Sequence, residues 1–280
     1  MSMVFSTPHA GLLRSLMGAA LVTLLAGCVN TTTQTTRLVG SADGNRTEAV
    51  TASDEPSGRR RARIRLELAI GYFEAGQTTV ALDEIKQALA ADPNFADAYN
   101  LRGLAYMRLD DAGMAEDSFR RAIALNPREP NTLHNYGWLL CQQTRYPESF
   151  GQFNLALASP IYQDRSKTMM ALGVCQARAG RKIDAEATLA RAYELEPANP
   201  IIGYNLSQLL FQRGDFSKSQ FYIRRLNNSE SANAETLWLG VKVERRLEDR
   251  VAMQQLGEQL KKRFPQSREA RSFERGAFDE

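Results

Sequence analysis

One spacing constrains this chain more than any other feature: a pattern of small and bulky apolar residues returns about every 34 positions. Ala81, Ile85 and Ala88, closed by Pro93, are repeated as Ala115, Phe119 and Ala122, closed by Pro127. The same frame continues through Ser149, Phe153 and Ala156, then Ala185, Leu189, Ala192 and Pro197, then Ser219, Ile223 and Leu226. Ala252 and Leu256, with Pro265 beyond them, complete a sixth copy. Upstream of each lies a second motif, a Leu-Gly-like pair with an apolar residue after it. It is seen at Leu68-Ala69, Gly103, Gly137, Leu172-Gly173, Leu206-Ser207 and Leu239-Gly240. Apolar residues three and four apart place one greasy stripe on a helix, so each copy reads as two helices. Small residues let the two approach closely, and the proline ends the second helix because it has no N–H to give and restricts the residue before it. A single helix pair cannot cover its own apolar face, so copies must stack.

These residues resemble the tetratricopeptide consensus, whose period is 34 residues. The expectation is an all-α superhelix of six helix pairs over residues 61–265, with a short C-terminal cap or tail over 266–280. The third copy departs from the pattern: it carries Ser149 for Ala, Pro160 falls one residue early, and two residues are inserted before the fourth. Ser267 to Arg275 reads as a short capping helix.

The beginning of the chain obeys different rules. Residues 1–27 contain no acid, and a mostly apolar stretch runs from Leu16 to Ala26. A bilayer-spanning helix needs about 20 apolar residues, so the stretch fits a secretory signal instead. It closes on Leu25-Ala26-Gly27-Cys28, which resembles the bacterial lipobox. That resemblance implies diacylglycerol and an N-acyl chain on Cys28, with no other cofactor. Each buried CH₂ contributes about 0.8 kcal/mol, so several chains hold a protein to a membrane lastingly. Val29 rather than Asp follows the cysteine, which by the sorting rule of such lipoproteins directs the molecule to the outer membrane. Residues 28–60 are then the lipidated Cys and a flexible linker rich in Thr, Gly, Ser and Asp, with a span of roughly 30 Å. Export permits a disulfide, yet Cys141 and Cys175 stand in apolar helical contexts and read as buried free thiols.

The composition excludes several functions. Of 280 residues 43% are hydrophobic and 24% charged, and the net charge is +3. A nucleic-acid binder would concentrate far more basic charge on one face. His134 is the one histidine beyond the signal, and there is no phosphate-cradling glycine loop, HExxH or paired CxxC. No enzyme and no small-molecule substrate are expected.

In tetratricopeptide folds the first helices line the concave surface, so the resemblance transfers groove positions by register. They form an apolar lane of Leu66, Ile70, Phe73, Leu104, Met107, His134, Trp138, Val174, Tyr204 and Phe211, flanked by Arg108 and Arg178 among others. Asn135 and Tyr136 adjoin it. Exposed apolar patches of this extent mark interaction sites. The groove lacks the Lys/Asn pattern with which chaperone-tail-binding relatives clamp a carboxylate.

Four strings are more particular: Leu133-His134-Asn135-Tyr136-Gly137, Arg145-Tyr146-Pro147-Glu148-Ser149-Phe150, Ile161-Tyr162-Gln163-Asp164-Arg165-Ser166 and Leu260-Lys261-Lys262-Arg263-Phe264-Pro265. With the lipobox and six repeats they resemble the type IV pilus biogenesis lipoproteins of the PilF/PilW pilotin type. The resemblance implies an outer-membrane lipoprotein that binds the pilus secretin subunit, localises it and promotes its multimerisation. Two other expectations stand beside it: a scaffold lipoprotein for cell-wall enzymes or another envelope complex, and a peripheral subunit of an enzyme complex.

Overall fold

Apolar stripes at helical spacing dictate helices, and the computed structural model, which describes residues 55–278, contains thirteen of them and no strand among those residues. The signal, Cys28 and the linker up to residue 54 lie outside the described residues. Six antiparallel pairs follow one another: α1 Ser57–Glu74 with α2 Thr78–Ala91, α3 Ala96–Arg108 with α4 Ala112–Leu125, and α5 Pro130–Gln142 with α6 Tyr146–Leu157. Then come α7 Arg165–Arg178 with α8 Lys182–Leu195, α9 Pro200–Arg213 with α10 Phe216–Asn227, and α11 Ala234–Arg246 with α12 Arg250–Arg263. The single helix α13, Arg268–Glu274, closes the stack, its Ser267 hydroxyl accepting from the Ala270 N–H. The first helix begins four residues before the start expected at 61.

The ends of the helices fall where the backbone chemistry demands. Asp92, Asn126 and Glu196, each preceding a proline, leave the helical region with ψ of 99°, 88° and 71°. Every turn inside a pair carries one left-handed residue. Glycine supplies it at Gly76, Gly180 and Gly214, while Asp110, Thr144 and Glu248 adopt it with φ near +60°. Thr144 is β-branched, for which that region is costly. Between the third and fourth pairs the connection runs from Ala158 to Asp164, longer than the four-residue links after α2, α4 and α8, which locates the inserted residues.

The small-residue rule is met atom by atom. A Cβ on Gly103 would lie 2.5 Å from the Phe119 ring, one on Gly173 2.7 Å from Leu189, and one on Gly137 3.0 Å from Phe153. The fifth pair has serines at both small positions, and they satisfy each other. The Ser207 and Ser219 hydroxyls lie 2.9 Å apart, and each donates to the other residue's carbonyl. Ser149 likewise donates to the Gly137 carbonyl at 2.7 Å. Polar groups are thereby buried without the penalty of an unmade hydrogen bond.

Each pair packs on its neighbours only. Successive first helices also touch one another (α1 with α3, and so on to α11), whereas successive second helices do not. First helices therefore form the more tightly spaced row, and the stack bends toward them. That row is the inner wall.

One expectation is overturned. Cys141 and Cys175 are bridged, with Cα atoms 5.9 Å apart. They lie one period apart near the ends of α5 and α7, the adjacent first helices of the third and fourth pairs. Their apolar surroundings, read from sequence as a sign of free thiols, suit a buried disulfide equally well.

Candidate partner-binding face

Burial sorts the residues expected on the inner wall into three groups. Leu66, His134 and Tyr136 are 7%, 8% and 6% exposed and line no open groove. Leu66 belongs to the core of the first pair, beneath Leu82 and Phe95. Register puts it on the groove, but its side chain is spent on packing in that core.

His134 and Tyr136 are polar nodes joining neighbouring repeats. The His134 Nδ1 lies 2.8 Å from the Thr168 hydroxyl on α7, which in turn meets the Tyr162 hydroxyl at 2.8 Å. Burial, and then the nearby Lys167 ammonium, push the imidazole down to about 4, against a small opposing pull from Asp164. His134 is thus neutral at physiological pH. The Tyr136 hydroxyl donates to Glu116 at 2.9 Å and accepts from Arg120 at 3.3 Å. Arg145 completes the network, donating to both Glu116 oxygens and, at 2.7 and 2.8 Å, to Glu148. Burial opposes ionisation of Glu116, but its bonds from Arg145 and Tyr136 and the Arg120 charge outweigh it and hold the carboxyl below its ordinary range. Two of the strings that looked particular in the sequence, both in the third repeat, thus meet on one carboxylate of the second, Glu116.

Ile70 is open to solvent. The remaining residues, Phe73, Leu104, Met107, Asn135, Trp138, Val174, Tyr204 and Phe211, are half-buried. Phe73, Leu104, Met107, Trp138, Tyr204 and Phe211 pack against four separate clusters of the core, so the expected near-continuous lane is broken into segments. Asn135 spends its amide on Asn100 of the preceding first helix, at 3.0 Å.

Cations lying against rings fill the breaks. Arg108 lies over the Phe73 ring, 3.5 Å from its centroid, and also donates to the Phe73 carbonyl. Arg178 stands 5.5 Å from the Trp138 ring, and Lys242 lies 5.8 Å from Phe211 and 5.7 Å from Trp238. Beyond Trp238, Phe278 stacks at 5.6 Å, with Arg245 over its outer face at 4.5 Å. Arg108 and Arg178 were transferred to the wall by register. Lys242, Trp238 and Phe278 were missed, although Lys242 lies one turn beyond Trp238 on the same helix, a spacing that brings side chains together. No metal-holding group of three or more His, Cys, Asp or Glu exists among the described residues, and none of their helices is long and apolar enough to cross a membrane.

Stacked two-helix units with a half-open inner row define a tetratricopeptide-repeat protein. The family model described as tetratricopeptide repeat matches residues 66–130. The type IV pilus assembly protein PilF of Pseudomonas aeruginosa is 27% identical over 234 residues, covering 81% of this chain and 93% of that protein. A solved structure of Pseudomonas aeruginosa PilF superposes with a TM-score of 0.71 at 25% identity, over 79% of this chain and 100% of that one. The crystal structure of PilW, described as a widely conserved type IV pilus biogenesis factor, gives a TM-score of 0.71 at 30% identity. It covers 75% of this chain and 97% of its own. The chain belongs to the PilF/PilW family of type IV pilus biogenesis tetratricopeptide proteins.

Proposed function

We propose that this protein is a lipid-anchored pilotin of the outer membrane. Held by acyl chains on Cys28, it grips the secretin subunit of the type IV pilus through its inner wall, brings it to the outer membrane and promotes its multimerisation. Similarity to PilF and PilW across nearly their whole lengths carries the reading. The half-open rings of Phe73, Trp138 and Phe211 supply a means of grip, since rigid aromatic side chains are favoured anchors at protein interfaces. The protein contributes binding and location, and no bond-making chemistry of its own.

Deleting the gene is expected to abolish secretin multimers and surface pili while leaving cell shape normal. Cys28→Ala is expected to move the protein to the soluble periplasmic fraction. Secretin multimers persisting at the outer membrane of the deletion strain would refute the pilotin role, and continued membrane fractionation of Cys28→Ala would refute the anchor.

A further inference from the structure

The three aromatic–cation couples of the inner wall are not scattered. Each joins two successive first helices: Phe73 on α1 with Arg108 on α3, Trp138 on α5 with Arg178 on α7, and Phe211 on α9 with Lys242 on α11. Rings come from the first, third and fifth repeats and cations from the second, fourth and sixth. The result is a ladder of three rungs along one wall, with the ring of each rung half-buried, Arg108 and Arg178 exposed, and Lys242 half-buried.

These cations differ from the ion-paired ones on the molecule. Several guanidinium groups on other faces are matched with carboxylates: Arg65 with Glu84 at 2.9 Å, Arg145 with Glu116 at 2.8 Å and Arg224 with the buried Glu244 at 2.7 Å. Arg108, Arg178 and Lys242 have no carboxylate within ion-pair distance among the described residues; rings are their neighbours instead. Lys242 is half-buried between Phe211 and Trp238, and desolvation lowers its ammonium's affinity for a proton. A ring face compensates a cation only in part, less than a desolvated carboxylate does through a charge-assisted hydrogen bond. Asp97 and Glu235 stand in the first turns of their helices, and Arg108 and Arg178 in the last turns of theirs. Glu74 lies in the last turn of α1, and the three ring-bound cations sit on α3, α7 and α11.

We infer that the inner wall receives an acidic segment of a protein partner, its carboxylates meeting Arg108, Arg178 and Lys242 and its apolar side chains lying on the exposed faces of Phe73, Trp138 and Phe211. The inference rests on the inner wall being the gripping face, and it deepens that reading by naming the chemistry of what is gripped. Charge complementarity selects this occupant. A purely apolar segment would bury three cations without counter-charges, and a basic one would be repelled along the row.

The test uses the folded full chain, lacking only its acyl anchor, and two fluorescent 20-residue peptides. One repeats Asp-Leu-Phe-Glu and the other is its amide counterpart, Asn-Leu-Phe-Gln. By anisotropy the acidic peptide is expected to bind at least tenfold more tightly, and to lose at least tenfold when NaCl is raised from 50 to 500 mM. The combined variant Arg108→Gln, Arg178→Gln, Lys242→Gln should lose the preference. A control that removes the same charge from second helices, Arg191→Gln, Arg225→Gln, Lys262→Gln, should keep it. Equal binding of the two peptides by the unaltered protein would overturn the inference without reference to any variant's folding. So would a control variant that loses as much as the inner-wall variant, since the attraction would then be diffuse. Secretin multimers that form normally with the inner-wall variant in cells would also overturn it, leaving the pilotin role intact. An acidic preference in vitro with secretin assembly untouched by gene deletion would sink the pilotin role alone.

Discussion

His134 shows how far one side chain can stand from its sequence reading. A lone histidine on a repeat helix was expected to face a groove. Here it is sealed between repeats, with Thr168 as its partner and Lys167 as an unfavourable neighbour. Its folded-state affinity for protons lies below the ordinary value of 6.5, at about 4. Below pH 6.5 the unfolded chain therefore binds a proton that the folded chain refuses. Stability is full above that pH and falls as the pH drops toward 4. Between pH 7 and 4.5 the loss traceable to this group is about 2 kcal/mol. In urea unfolding at the two pH values, His134→Asn, which keeps a polar group near Thr168 but does not titrate, should shrink the difference by about that amount. The buried positions were legible wherever periodicity alone decided them, as at Ala81, Phe119 and Leu189. Leu66, His134 and Tyr136 were not, because register says which row a residue belongs to. It does not say how deeply the neighbouring repeat covers it, and the depth depends on the partner side chains Thr168 and Glu116, which lie 34 and 20 residues away.

At the scale of helices, the third and fourth repeats are bound more heavily than the rest. The Cys141–Cys175 bridge ties α5 to α7. The His134–Thr168–Tyr162 chain runs alongside it, and Arg165 donates to the Leu157 carbonyl at 2.8 Å and to that of Ser159 at 3.3 Å, capping the end of α6. This is where the sequence departs from its period, with Ser149 for Ala and two residues inserted, so the irregular junction is also the reinforced one. Closing a loop of 34 residues contributes roughly 3–4 kcal/mol on the chain-entropy account. Cys141→Ala with Cys175→Ala is expected to lower the unfolding free energy by about that amount in denaturant titration, and a reductant should do the same to the unaltered protein. The helix pairs themselves could be read from the sequence almost end to end, since proline positions and small-residue spacing are local signals. The bridge could not, because it needs two helices to be adjacent with their cysteines turned inward, which is a matter of stacking geometry.

Across the whole molecule, contact between neighbours alone means that each repeat is stabilised by the one before and the one after. The last has no successor, and α13 takes that place. Phe273 seats its ring against Gly257, where a Cβ would come within 1.9 Å, and Ala270 is buried with Leu237, Val241 and Leu260. Phe273→Ala is expected to cost about 2–3 kcal/mol. The loss should be local: amide exchange should quicken in α11 and α12 and stay unchanged in α1 to α4. Uniform acceleration along the chain would show that the repeats unfold as one unit. The sequence announced such a cap through Ser267 and the preceding proline. It did not announce the ladder on the inner wall, because pairs such as Trp138 and Arg178 become neighbours only once the stack is built.

The crosslinked junction in the middle of the array also has a mechanical meaning. An elastic column braced at its waist flexes as two arms, each about two repeats long, and a load on either end is borne by that arm before it reaches the other. A cargo seated along the wall would therefore meet its stiffest stretch at Trp138 and Arg178, beside the bridge.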